Sequence, residues 1–222
     1  MKAAARKTHP ERGAREDWRT FEPLDLTPLL VAALEAFYER GFYGTSVRDI
    51  ARRVGQTVPS LYYHHENKEG VFVALLEKGT REVAWRARAA VEDGGDRPEQ
   101  QFVNMIEAVV LYMTHRVQLA TLDVELRYLS APNRRHYAAI RKEVEDLLVR
   151  VVTDGTLQGV FRVTRPAETA RALLGMCQSI ARWYHPTGPM QPEEVAQRYI
   201  DIALMTVGVH QRPKHLKGVS GR

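Results

Sequence analysis

In residues 27–76, TPLLVAALEAFYERGFYGTSVRDIARRVGQTVPSLYYHHENKEGVFVALL, the start and stop signals of helices recur at short intervals. Thr27 is an N-cap candidate, and Pro28 is pre-organised for the first helical position. Leu29, Leu30, Ala33, Leu34, Phe37 and Tyr38 then recur at helical spacing until Gly41, a candidate left-handed C-cap. Ser46 with Asp49 forms a capping-box variant that opens a second helix. Val47, Ile50, Ala51 and Val54 give that helix its inner face, and Arg48, Arg52 and Arg53 lie largely outside. Gly55 breaks it. Thr57 caps a short third helix with Pro59 in its first turn, and Asn67 caps a long fourth that begins at Lys68. A short capped helix, a tight turn and a second short helix are the layout of a helix-turn-helix, which presents a helix N-terminus to DNA.

The third helix carries no formal charge between Gln56 and His65. Its hydroxyls, amides and rings suit base edges, thymine methyls and phosphates. Arg48 on the preceding helix is the strong candidate for a bidentate guanine contact, and Lys68 suits a phosphate. Tyr62 reads equally as core packing or as a DNA contact, and Tyr63 as a phosphate contact. Residues 25–80 hold six Lys/Arg against seven Asp/Glu, so the head itself is near neutral. The basic excess sits at the ends, six against four in residues 1–24 and four against none in 210–222. Both ends are read as basic and flexible. Lys2, Arg6, Lys7, Arg12 and Arg15 are either a source of salt-dependent DNA affinity or a solvated tail.

A chain of 222 residues accommodates one small and one medium domain with separate cores. Cys177, the single cysteine, excludes an intrachain disulfide, fits a reducing cytosol and reads as a packing residue. No apolar run reaches the roughly 18 residues of a membrane span, and the first residues lack the apolar stretch of a signal peptide. The expected location is the cytoplasm. No phosphate-cradling glycine loop, GxSxG elbow, HExxH or CxxC spacing is present. His64 and His65, adjacent on a helix, point about 100° apart and do not chelate one metal together. The chain is therefore read as a non-enzyme without metal or cofactor.

Beyond residue 76 helical signals continue, and the best strand candidate, 159–164, is a short connection. The fourth helix stops at Glu92-Asp93-Gly94-Gly95-Asp96, and Pro98 opens a fifth. A sixth is expected over 116–129, a seventh over 133–153 ended by Gly155, an eighth from Pro166 and a ninth over 192–209. The fold class is all-α with about nine helices. A three-helix helix-turn-helix head (25–70) precedes a second helical bundle (71–209).

The segments AALEAFYERGFYGTSVRDIA, VG and LYYHHENKEGVF resemble the DNA-binding domain of the TetR family of bacterial transcription regulators. His65 departs from the family pattern, which buries a Phe there. Carried over residue by residue, the resemblance implies DNA contacts at Thr45, Val47, Arg48, Gln56, Thr57, Val58, Pro59, Tyr62, Tyr63, His64 and Lys68. Arg48, Gln56, Val58 and Pro59 would read bases, and Thr57, Tyr63, His64 and Lys68 would hold the backbone. The second half is implied to bind an effector and to dimerise. Leu173, Cys177, Ile180, Trp183 and Tyr184, with Tyr199, Ile202, Ala203 and Thr206, suit a four-helix seam between two copies. Two heads then read a near-palindrome at a spacing of about 34–36 Å or slightly more. The expected effector walls are Met105, Val109, Tyr112, Met113, Leu126, Tyr128, Leu148, Met176 and Gln178, together with Val83.

Residues 181–189, ARWYHPTGP, and the following PEEVAQRYIDIAL resemble a TetR subgroup that controls fatty-acid, steroid and aromatic-acid breakdown. Several of its members respond to acyl-CoA thioesters. The phosphates of such a ligand need cations, and Arg127, Arg134, Arg135, Arg171 and Arg182 remain open choices. The expected function is a dimeric repressor released from its operator by a small apolar effector, an acyl-CoA on this resemblance. An activator, or a repressor needing a co-repressor ligand, gives the same signals. A helical lipid or acyl carrier without DNA binding is the alternative from another class. The effector's identity, the operator, the regulated genes and further assembly on DNA are not legible in the sequence.

Overall fold

A computed structural model describes residues 17–59, 61 and 65–209, and among these there is no strand. Helix α1 (Pro28–Gly44) starts at Thr27, whose side chain accepts from the Leu30 N–H. Gly41 leaves helical geometry at φ 68° and kinks the last turn, a conformation that glycine adopts without strain. Ser46 and Asp49 close a reciprocal capping box on α2 (Val47–Arg53). Gly55 turns the chain, and the fully buried Leu61 pins the following segment to the head. Asn67 caps α3 (Lys68–Asp93) by accepting from the Gly70 N–H. Phe37, Phe42 and Phe72 form the centre of the head, with ring centroids 5.1 to 5.9 Å apart.

Helix α3 leaves the head and becomes a wall of the larger half. There it packs on α4 (Pro98–His115), of which almost every residue is buried, and on α6 (Ala131–Leu157). The expected single helix over 116–129 is instead α5 (Val117–Thr121) followed by a 3-10 segment (Leu122–Tyr128). The two ends of that segment have different partners, Asp123 with Tyr137 and Tyr128 with the rings of Phe42 and Tyr43. Helices α7 (Pro166–Gln178), α8 (Ile180–Trp183) and α9 (Pro192–Thr206) close the bundle, α9 lying along α4. Gly155, expected to end α6, lies inside it. A Cβ there would stand 2.2 Å from the Phe161 ring, so the glycine makes room for packing and the helix runs on to Leu157.

Residues 17–26 correct the expectation of a flexible arm as far as residue 24. Trp18 is buried against the larger half, and Arg86 donates to the carbonyls of Trp18 and Thr20 at 2.7 and 2.9 Å. Arg19 pairs with the buried Glu107 at 2.7 Å, and Phe21 stacks on His115 at 4.3 Å. Arg116 donates to the Glu22 carbonyl at 2.6 Å and pairs with Glu82 at 3.0 Å. A buried indole and satisfied charges make this stretch a strap on the bundle. Lys2, Arg6, Lys7, Arg12, Arg15 and the tail 210–222 lie outside the described residues. No described helix is long and apolar enough to cross a membrane.

Candidate DNA interface and effector cavity

Ion pairing sorts the cations of the head. Arg52 is bound by Asp49, and Arg53 by Glu39 with Glu35 at 3.7 Å. The hydrogen bond from Arg53 holds Glu39 below the ordinary carboxylate range, and those from Ser46 do the same for Asp49. Arg48 is exposed and makes no ion pair among the described residues. Gln56, Thr57 and Pro59 are exposed just beyond Gly55, whereas Val47 and Val58 are half-buried against the head core. Tyr62, Tyr63 and His64 lie outside the described residues.

Two expected DNA contacts belong to the fold instead. Thr45 is buried, with its hydroxyl 2.9 Å from the carbonyls of both Ala36 and Gly41. The Lys68 ammonium donates to the carbonyls of Phe42 and Thr45 at 2.8 and 3.0 Å and stands 4.2 Å over the Phe42 ring. Burial lowers its pKa. Lys68 therefore ties the end of α1 to the start of α3, with two of its three donors on protein carbonyls.

A cavity of about 500 Å³ lies between α3, α4, α6 and α7. Val83, Val109, Tyr112, Met113 and Gln178 of the expected wall line it. Met105 and Leu148 are fully buried in the core, and Met176 packs on that core without lining the cavity. Leu126 and Tyr128 face the head. Helical periodicity marks an apolar face, but not which of its rows meets a void. Thr80, Asp123, Tyr137 and Arg141, outside the expected wall, line the cavity too. The Tyr137 hydroxyl donates to Asp123 and lies 3.1 Å from the Thr80 hydroxyl. Burial raises the Asp123 pKa against the opposing pull of Arg141, 3.9 Å away. A carboxylate between apolar residues, Leu122-Asp123-Val124, was the available signal.

Arg141, Lys142 and Arg171 stand at the exposed side of this cavity, with Arg171 paired to Glu145 at 3.0 Å. Arg141 also borders an adjoining pocket of about 220 Å³ that includes Arg182. Of the other arginines considered, Arg127 lies 4.9 Å over the Tyr128 ring near the head, and Arg134 and Arg135 line neither space.

The expected seam divides in two. Leu173, Cys177, Ile180, Tyr184 and Ala203 are packed inside their own chain, because their helical rows face α4 and its neighbours. Burial pushes the Cys177 thiol up to about 12. Trp183, Ile202 and Thr206 are open, as is Met205, which the reading missed. The half-buried Tyr199 ring stacks 6.3 Å from that of Trp183.

Both halves match known families. Residues 29–75 match the model of bacterial regulatory proteins, tetR family, and residues 95–207 that of the tetracyclin repressor-like C-terminal domain. The chain belongs to the TetR family. It is 30% identical over 181 residues to the HTH-type transcriptional repressor KstR2 of Rhodococcus jostii, covering 80% of this chain and 88% of that one. Among solved structures, the TetR family regulator PfmR from Thermus thermophilus superposes with a TM-score of 0.74 at 31% identity. That match covers 80% of this chain and 97% of PfmR. The ketosteroid transcriptional regulator KstR2 of Mycobacterium tuberculosis gives 0.74 at 27% identity, covering 83% and 96%. As a member of the TetR family the chain is a DNA-binding transcription regulator, not an enzyme.

Proposed function

We propose that this TetR-family chain is a homodimeric cytoplasmic repressor that binds a near-palindromic operator and is released by the CoA thioester of an apolar acid. The observation that carries this reading is the asymmetry of the cavity. Its inner wall is mostly apolar and phenolic, with the Asp123 carboxyl taken up by Tyr137, and its exposed side carries Arg141, Lys142 and Arg171, with Arg182 in the adjoining pocket. The inner wall suits an acyl group, and the arginines suit the phosphates of CoA. Those phosphates compete with Asp123 and Glu145 for Arg141 and Arg171. The Rhodococcus jostii relative, a transcriptional repressor, supports repression over activation. Arg48, Gln56 and Pro59 are the base readers in this reading.

Release follows from the double role of α3, which lines the cavity at Leu76, Gly79, Thr80 and Val83 and begins in the head at Lys68. A ligand that widens the cavity moves α3, and with it the head. Its affinity must favour the released state by a few kcal/mol, about what is needed to invert a two-state population. The test is selection of genomic fragments by the purified protein, repeated with a panel of acyl-CoAs. The expected result is a near-palindrome whose binding is lost with one acyl-CoA. A palindrome indifferent to all of them removes the effector class, and no enriched sequence at low salt removes the operator reading.

A further inference from the structure

Tyr112 and Tyr137 both line the cavity, and both rings are all but buried. Their hydroxyls are in opposite situations. That of Tyr137 is bonded to Asp123 and has the Thr80 hydroxyl at 3.1 Å. That of Tyr112, a side chain only 4% exposed, makes no hydrogen bond with any described residue. Space for it is kept by Gly79, where an added Cβ would stand 2.5 Å from the Tyr112 oxygen. Burial, with Tyr137 and Asp123 adding to it, raises the Tyr112 pKa far above its ordinary value, so the oxygen keeps its proton and is a donor. Of the apolar cavity residues, Val83, Val109 and Leu119 have no side-chain acceptor to offer it, and the Met113 thioether is a weak one. A buried O–H without a partner is a standing cost to the folded protein, and one that a ligand oxygen removes.

Building on the acyl-CoA reading, we propose that the acyl group is oxygenated. A carbonyl or hydroxyl oxygen within its carbon skeleton, separate from the thioester, accepts a hydrogen bond from Tyr112. The placement of the cations favours this over the thioester carbonyl. Arg141, Lys142 and Arg171 stand on α6 and α7, whereas Tyr112 belongs to the buried α4 wall. A CoA held at the cations keeps its thioester beside them, and the acyl group beyond it runs along the wall that holds Tyr112. A plain hydrocarbon chain of equal size leaves the hydroxyl unpaired. A site built this way rejects the analogue lacking the oxygen more firmly than an apolar pocket tells one methylene from another.

The test compares the full-length protein with its Tyr112→Phe variant by calorimetry. The probes are 4-oxocyclohexanecarbonyl-CoA, cyclohexanecarbonyl-CoA and the two corresponding free acids. The wild type is expected to bind the oxo thioester about five- to tenfold more tightly than the saturated one, the worth of one hydrogen bond, and the variant to lose that preference. Equal affinity of the wild type for both thioesters overturns the proposal. So does a variant that binds both more weakly by the same factor, because the hydroxyl then reads the thioester. A Tyr112-dependent preference confined to the free acids keeps the oxygen recognition and removes the acyl-CoA reading. Failure of all four probes to bind overturns both. Ligand-free unfolding gives an independent arm, in which Tyr112→Phe leaves Tm unchanged or raises it. A fall of more than about 2 °C shows that the hydroxyl is already engaged inside the protein, which also overturns the proposal.

Discussion

Arg48 and Lys68 are two cations of one small head with opposite work. Arg48 is solvated and unpaired among the described residues, so its five donors are available to a guanine edge. Replacing it by Ala is expected to weaken operator binding by about 1–3 kcal/mol and to relax specificity at one base pair. Titration of operators varied one pair at a time measures this, and unchanged affinity takes Arg48 off the interface. Lys68 spends its donors on the carbonyls of Phe42 and Thr45. Lys68→Met is therefore expected to cost about 1–3 kcal/mol in urea unfolding through two carbonyls left without their charged donor. The slope of operator affinity against salt should stay as in the wild type. A slope shallower by about one places the ammonium on a phosphate after all. Sequence alone does not separate the two residues. Each stands where a family pattern puts a DNA contact, and only the kink at Gly41 brings the carbonyls to Lys68.

At the scale of elements, helix starts were legible because their signals are local. Thr27, Ser46 with Asp49, and Asn67 each cap the helix that follows them, and Pro98, Pro166 and Pro192 each stand in a first turn. What depends on partners distant in sequence was not legible. Gly155 has the composition of a stop and serves as a seat for Phe161, a close neighbour in sequence that the chain reaches only by folding back on the helix. Trp18 stands in a polar stretch and is held by Arg86 and its neighbours on the bundle. The 3-10 segment is the most consequential of these. It carries Asp123 at the cavity and, a turn or two later, Tyr128 with its ring 4.4 Å from Tyr43 in the head. It thus joins the cavity wall to the head, as α3 does. Tyr128→Ala is expected to leave operator and effector affinities, each measured alone, within about twofold of wild type. The effector concentration for half-release should rise about fivefold or more as the coupling between the sites weakens. If half-release does not move, the coupling runs through α3 without the 3-10 segment.

For the whole molecule, the proposed homodimer would set the geometry of its two heads by the face that joins the copies. The exposed large apolar groups Trp183, Ile202 and Met205, at 38%, 42% and 54% exposure, gather on α8 and α9 beside the Tyr199 ring. Single exposed apolar residues are ordinary on a protein surface, but a contiguous set on adjacent helices marks an interaction face. A two-fold axis through such a face doubles each contact, so one substitution per chain acts twice. Ile202→Glu with Met205→Glu would place four carboxylates in an apolar seam, where each unpaired charge costs several kcal/mol. The face is separate from the buried row Ile200, Ala203, Leu204 and Val207, so the folded subunit should survive. The expected outcome in sedimentation at micromolar concentration is a folded monomer with unchanged helical content. Its affinity for the full operator should fall more than about a hundredfold, because the second half-site is no longer bound at the effective concentration a dimer supplies. Half-site affinity should change little. A variant that stays dimeric moves the seam away from α8 and α9. A true monomer that still binds the full operator as the wild type does would mean that the heads act singly, and the near-palindrome would lose its physical reason.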